Sequence, residues 1–454
     1  MGTAEPTVDP YFGYEIAILV VLLYAVIVYG LYRTGRLGPE KTLSLFGPAL
    51  MIKTQRGRSA LDRWGRFKRF WTVVSDIGVG LSVIAMGVIL ALLVFGAIAS
   101  FRISASQAPT VTEAVGLPGI NPFIPISYGI IALVVGIVLH ELSHGVVARS
   151  QGIGVKSLGI LWCVLPIGAF VEQDDAEMLA ASRRKRDRVA AAGVLANFGL
   201  AVLFFFLLSG LVAGSVAPNA NGVGVAYVQG SSPAANLTVP LAPGDIITSI
   251  NGTSTPTYSD FENALARSTP GETVSLVYYS SSLGRTVSTS VVLATNPNNK
   301  TRGFLGVAPS FISPTELKQT FVNPLASDQG PLTGTVYWVI LPLGGLEPVS
   351  GPTPSYFHLT GPLAGANPTA FWVGANILYW LAWMNLLLGL SNALPLVPLD
   401  GGLLFRDFAA SVASRLRRAW SEAQLDRFAG KAVTVSSFLV LMLLLWQFLV
   451  PRLL

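Results

Sequence analysis

The sequence predicts a polytopic α-helical membrane protein of about six spans, interrupted once by an inserted α+β domain outside the membrane. Two observations predict it. Of 454 residues, 52% are hydrophobic and only 12% charged, giving a mean hydropathy of +0.58, whereas a soluble domain carries about one quarter charged residues. The apolar residues also gather into runs of membrane-crossing length, about 17 to 25 residues each, at 15–32, 73–99, 125–147, 189–212, 371–390 and 432–450.

The first run follows a leader that carries Glu5 and Asp9 but no Lys or Arg, so it reads as an anchor and not as a cleaved signal peptide. Basic residues flank the spans unevenly: ten lie from Arg33 to Arg69, seven from Arg149 to Arg188 and six from Arg406 to Lys431, which is 23 of the 30. By the positive-inside rule these segments are cytoplasmic, and both termini and the stretch 213–368 lie outside. That asymmetry accounts for the net charge of +6 without invoking nucleic acid. The expected organisation is an anchor and basic loop (1–72), a first membrane core (73–213), an inserted domain (214–310), an outer connection (311–368) and a second membrane core (369–454). A cell membrane is the expected location.

At the third run, an uninterrupted apolar stretch from Ile124 to Leu139 is ended by His140, Glu141, Leu142, Ser143 and His144, the pattern H-E-x-x-H. On a helix, positions i and i+4 share a face, so the two imidazoles can hold one metal ion while Glu141 reaches a water beside it. Three ionisable groups in one turn of a membrane helix are costly, at about 2.5 to 3.5 kcal/mol each on insertion scales. A bound cation offsets that cost. The chain has one cysteine, Cys163, and three histidines, so a thiolate cage is excluded, as is an intramolecular disulfide. His358 falls in the outer stretch, which leaves an Asp or Glu as the third ligand. Asp400 is the only acidic residue between Glu347 and Asp407. It sits in N-A-L-P-L-V-P-L-D-G-G, from Asn392 to Gly402, where Pro395 and Pro398 break the helix. Both motifs close spans that run toward the cytoplasm, which brings His140, His144 and Asp400 to similar depth.

With these two motifs in this order, the chain resembles the site-2 proteases, a family of zinc intramembrane metalloproteases, over roughly 128–402. The resemblance implies one Zn2+ per chain held by His140, His144 and Asp400, with Glu141 as general base and single-span membrane proteins as substrates. Asn392 is then a candidate for holding the substrate backbone. Gly193–Asn197 (G-V-L-A-N) matches a segment that packs beside the catalytic helix in that family, and the amide of Asn197 is a further candidate for substrate contact. The apolar stretch 157–171, broken by Gly159, Pro166 and Gly168, resembles that family's membrane-dipping β-loop, whose open edge can pair with an unwound substrate. Cys163 reads there as packing.

From 223 to 307 the chain alternates as short strands around one helix at 258–267. The strings G-S-S-P-A-A-N-L from Gly230 and P-G-D-I-I-T-S-I-N from Pro243 resemble a PDZ domain. That likeness implies capture of a peptide carboxyl terminus, with Gly303, Phe304, Leu305 and Gly306 as the carboxylate loop, or a filter that excludes bulky folded domains. Three N-x-T sequons, at Asn236, Asn251 and Asn299, suit an outside location. The apolar patch 336–346 is too short for a span and is expected to form an outer re-entrant or surface-lying segment; 403–431 is expected to form one basic amphipathic helix on the inner surface. Two other classes compete. A non-catalytic zinc-containing PDZ receptor or scaffold has no use for Glu141, and a zinc transporter needs polar sites along a whole transmembrane path, whereas the chelating residues here gather near one face.

Overall fold

A computed structural model describes residues 12–38, 41–163, 165–326, 330–344 and 351–453. Glu5 and Asp9 of the leader, and residues 345–346 of the outer apolar patch, lie outside them. Among the described residues, five helices are long and apolar enough to cross a membrane. They are α2 (Lys68–Ala99), α3 (Ile126–Gln151), α4 (Arg183–Ser215), α6 (Pro368–Asn392) and α8 (Glu422–Leu453). At about 1.5 Å per residue their 25 to 33 residues exceed the ~30 Å hydrocarbon core. The first helix, α1 (Phe12–Arg33), contributes a shorter apolar stretch, Ile18–Arg33.

The chain divides into two compact units, one comprising Met1–Val115, Ile130–Ala201 and Met384–Leu454, the other Gly116–Gly129 and Val202–Trp383. The first unit carries both motifs. Its helices approach closely through small residues: a Cβ on Gly78 of α2 would come within 3.1 Å of Leu195 on α4. It also contains a four-stranded antiparallel sheet, β1 (Leu43–Phe46), β2 (Ala49–Thr54), β3 (Val155–Cys163) and β4 (Leu165–Gln173), in that order. The expected β-loop is the β3–β4 hairpin, with Cys163 half-buried. The β1–β2 hairpin that extends it was not anticipated. It leaves β3 paired on both sides and β4 at the edge. Glu172 of β4 ties the sheet across β3 through Lys53 of β2 at 3.1 Å.

The expected single helix over 403–431 is instead two, α7 (Asp400–Leu416) and the first turns of α8. The break has a local cause. Ser421 and Gln424 cap each other reciprocally, Ser421 N–H donating to Gln424 Oε1 at 2.8 Å and Gln424 N–H to Ser421 Oγ at 3.4 Å, so α8 starts afresh at Glu422.

In the second unit, a six-stranded sheet has the order β8 (Arg285–Val292), β7 (Thr273–Ser280), β6 (Ile246–Ile250), β5 (Val223–Val228), β10 (Val307–Pro309), with Thr253–Ser254 paired to β6. The helix α5 (Tyr258–Ala266) is opened by a Thr257–Asp260 capping box and sends Phe261 into a core of Val223, Ile247, Leu276, Tyr278 and Leu305. The short strand β9 (Gly303–Phe304) precedes Gly306, whose φ of +85° and 2.1 Å clearance from Ser232 admit no side chain. A helix at Pro331–Ile340, ten residues long, covers the first part of the outer apolar patch. At about 15 Å it is too short to span a membrane.

Candidate metal centre

The histidines lie one turn apart on α3 and are each 7% exposed. Asp400 is the first residue of α7, and the glycines after it explain how it gets there. A Cβ on Gly401 would stand 2.2 Å from the carbonyl oxygen of Ala393, and one on Gly402 would stand 2.8 Å from the carbonyl oxygen of Leu396. Only glycine lets the start of α7 fold back on the proline-broken segment. From α8, Ser436 Oγ donates to the Pro395 carbonyl at 2.8 Å, and Ser437 Oγ accepts from Val397 N–H at 3.0 Å, which fixes that segment from behind.

The result is a triangle of ligand atoms. His140 Nε2 and His144 Nε2 are 3.1 Å apart, and Asp400 Oδ2 lies 3.3 Å from each. Ligand atoms at about 2.0 to 2.1 Å around a tetrahedral zinc ion stand about 3.3 Å from one another, so the donor set fits the ion in kind and in spacing. His144 Nδ1 lies 2.7 Å from the Val189 carbonyl on α4. A carbonyl only accepts, so the proton is on Nδ1 and the lone pair of Nε2 faces His140 and Asp400. His140 Nδ1 lies 3.1 Å from the side-chain amide of Asn197, also on α4. The amide nitrogen Nδ2 faces the ring and Oδ1 is buried without a partner; a half-turn of the amide exchanges the two, makes Asn197 the acceptor of the Nδ1 proton and frees Nε2 in the same way. Two lone pairs and a carboxylate oxygen then converge, and Asp400 Oδ2 is buried with no hydrogen-bond donor. Such an arrangement is repulsive without a cation. His140, His144 and Asp400 are also the one His/Cys/Asp/Glu cluster with metal-binding spacing among the described residues.

Glu141 lies beside the triangle, and its Oε2 accepts the backbone N–H of Val171 on the edge strand β4 at 3.1 Å. Gly193 of α4 seats the histidines, since a Cβ there would come within 2.4 Å of His140 and 2.5 Å of His144. Asn197, expected as a substrate contact, is 1% exposed and meets His140 instead. Asn392, at the end of α6, donates to its own helix at the Leu388 carbonyl, 3.0 Å away, and is half-buried. In the second unit, Gly303 N–H is taken by the Ser268 carbonyl at 3.1 Å and Leu305 is buried. A cavity of about 90 Å³ lies between that loop and α5. His358, elsewhere in that unit, hydrogen-bonds Asn219 at 2.9 Å.

The family model of peptidase family M50 matches residues 128–440, from the start of α3 to the middle of α8. The chain belongs to peptidase family M50. It is therefore an intramembrane zinc metalloprotease of the site-2 type and an integral membrane protein. Among its relatives, an uncharacterized protein of Methanocaldococcus jannaschii is 26% identical over 89% of this chain and 88% of its own length. The zinc metalloprotease RasP of Geobacillus kaustophilus is 29% identical over 58% of this chain and 57% of its own length. A crystal structure of the PDZ domain of an SdrC-like protein from Listeria monocytogenes is 25% identical, covers 20% of this M50 chain and 88% of that domain, and aligns with a TM-score of 0.17.

Proposed function

We propose that this M50 protease binds one zinc ion per chain through His140, His144 and Asp400, and that Glu141 is the general base for hydrolysis of a peptide bond in a substrate's transmembrane helix. The observation that carries the reading is the ligand triangle, whose buried carboxylate oxygen is otherwise uncompensated. When bound, zinc supplies Lewis-acid polarisation of the scissile carbonyl and lowers the pKa of an adjacent water. Glu141 takes the proton of that water and passes it to the leaving amine. Val189 and Asn197 hold the two imidazoles by their Nδ1 protons. A helical substrate hides its carbonyls, so it must unwind. Strand β4 offers an edge on which an unwound segment can align, and Asn392, at the end of α6, is the residue proposed to hold its backbone.

The distribution of basic residues supports six spans in a cell membrane, with the active site toward the cytoplasm and the sheet of the second unit outside as a PDZ-like module. The module either filters substrates by size or captures a newly exposed carboxyl terminus at Gly303–Gly306. The occupied Gly303 amide and the small cavity beside α5 favour the filter. The test of the main reading is a cleavage assay on the purified chain in lipid with single-span substrates. Cleavage abolished by a chelator and restored by zinc is expected; cleavage indifferent to chelation contradicts the reading.

A further inference from the structure

A cavity of about 780 Å³ lies in the first unit, bounded by the end of β4 and by stretches of α4, α7 and α8, a volume within the range of ligand pockets. Three elements that carry or hold the metal centre also line the cavity. On β4, Val171 touches Glu141 and Gln173, two residues on, lines the cavity. On α4, Asp187 and Ala190 line it, and Gly193 and Asn197, three and seven residues beyond Ala190, lie against the histidines. On α7, Leu403 and Asp407 line it at i+3 and i+7 from Asp400. Six residues of helix separate Asp187 from Gly193, or about 9 Å, the length of about three residues of extended chain.

Its charges do not cancel. Arg186 holds Asp407 with two bonds of 2.7 and 2.9 Å, Arg183 pairs with Glu422 and Arg406 with Asp426. Every arginine of the lining has its carboxylate. Asp187 is left over, with Oδ1 buried and without a hydrogen-bond partner.

We propose that this cavity is a subsite for a basic side chain of the substrate, with Asp187 as the residue that selects it. The inference rests on the proposed hydrolytic reading. A single-span protein carries Lys and Arg on its cytoplasmic flank. A segment aligned on β4 with its scissile bond at Glu141 leads that flank into the cavity within about three residues. An ammonium or guanidinium there supplies the one cation the lining lacks, and Asp187 becomes a determinant of which bond is cut.

Binding is measured with the full-length Glu141→Gln chain in lipid nanodiscs, so that no turnover occurs, using a labelled single-span substrate with Lys or Gln placed in turn along its cytoplasmic flank. At the position that reaches the cavity, Lys is expected to bind about tenfold more tightly than Gln, the scale of one partly buried charge pair. Adding Asp187→Asn removes that preference, and Asp187→Glu retains it. Equal binding of the Lys and Gln substrates at every position overturns the proposal, and because that comparison alters only the substrate, it stands even if Asp187→Asn does not fold. A Lys preference that survives Asp187→Asn overturns it too. The wild-type cleavage assay separates the two claims: a Lys preference in binding with neither substrate cut refutes hydrolysis and not the subsite, while equal binding with both cut refutes the subsite and leaves hydrolysis intact.

Discussion

Two aspartates, one in each unit and each with a buried carboxylate oxygen, separate what folds this protein from what makes it work. Asp245, in the sheet of the second unit, is 1% exposed. It accepts from the N–H of Ala242 at 2.9 Å, the N–H of Ser281 at 2.8 Å and the hydroxyl of Ser281 at 2.9 Å. Its charge is met by donors from its own domain, so it closes a turn and asks nothing of a ligand. Asp400 faces two imidazole nitrogens whose protons are committed elsewhere. It is compensated only if something cationic enters. A buried carboxylate thus marks structure when its donors are internal and a site when they are missing.

The sharpest way to break this contrast is at the base. Glu141→Gln leaves all three ligands in place, so zinc content should stay at the wild-type level while cleavage falls by about 10²- to 10⁴-fold; cleavage near the wild-type rate refutes Glu141 as proton acceptor. Removing a group that holds a ligand should cost somewhat less. Asn197→Ala takes away the acceptor of the His140 Nδ1 proton, and zinc affinity by competition with a chelator should weaken about 10- to 100-fold. Unchanged affinity would mean that the imidazole is oriented by other contacts.

In the other unit the expected effects are structural. Asp245→Ala strands three donors, and each stranded polar group costs about 1 to 3 kcal/mol. Limited proteolysis should therefore find the second unit opened while zinc content is retained; loss of zinc in this variant would contradict the independence of the two units. The smallest effect, and the one that depends on substrate, is expected on deleting 223–307 with a Gly/Ser bridge. A size filter predicts that a substrate with a bulky outer domain is cut several-fold more than before and a trimmed one much as before. A docking module predicts slower cleavage of the trimmed substrate.

The cluster of His140, His144 and Asp400 that the structure brings together was legible in the sequence because each residue carries a local signature: helical spacing for His140 and His144, and for Asp400 its isolation as an acid among prolines and glycines. Five of the six expected runs fall on helices long and apolar enough to cross a membrane, and they were legible for the same reason, as long apolar runs between basic clusters. What escaped were contacts between segments distant in the chain. The bond from Val171 N–H to Glu141 is made by a backbone group, which any residue supplies, so no residue type announces it. The β1–β2 hairpin lay within the first basic loop, where its alternation from Leu43 to Thr54 around Gly47 and Pro48 was outweighed by charge. A buried amide needs a partner, which makes Asn197 a candidate for substrate contact on the sequence alone, and no residue type in the sequence says that His140 is the partner.

Zinc stoichiometry of the purified chain, compared with Asp400→Ala, tests the central claim most directly, because it asks whether the uncompensated carboxylate is a metal ligand without relying on any substrate. About one zinc per wild-type chain is expected and strongly reduced zinc in the variant, since one of three proposed protein ligands is gone. Full zinc content in Asp400→Ala, in a chain that still folds, would contradict it.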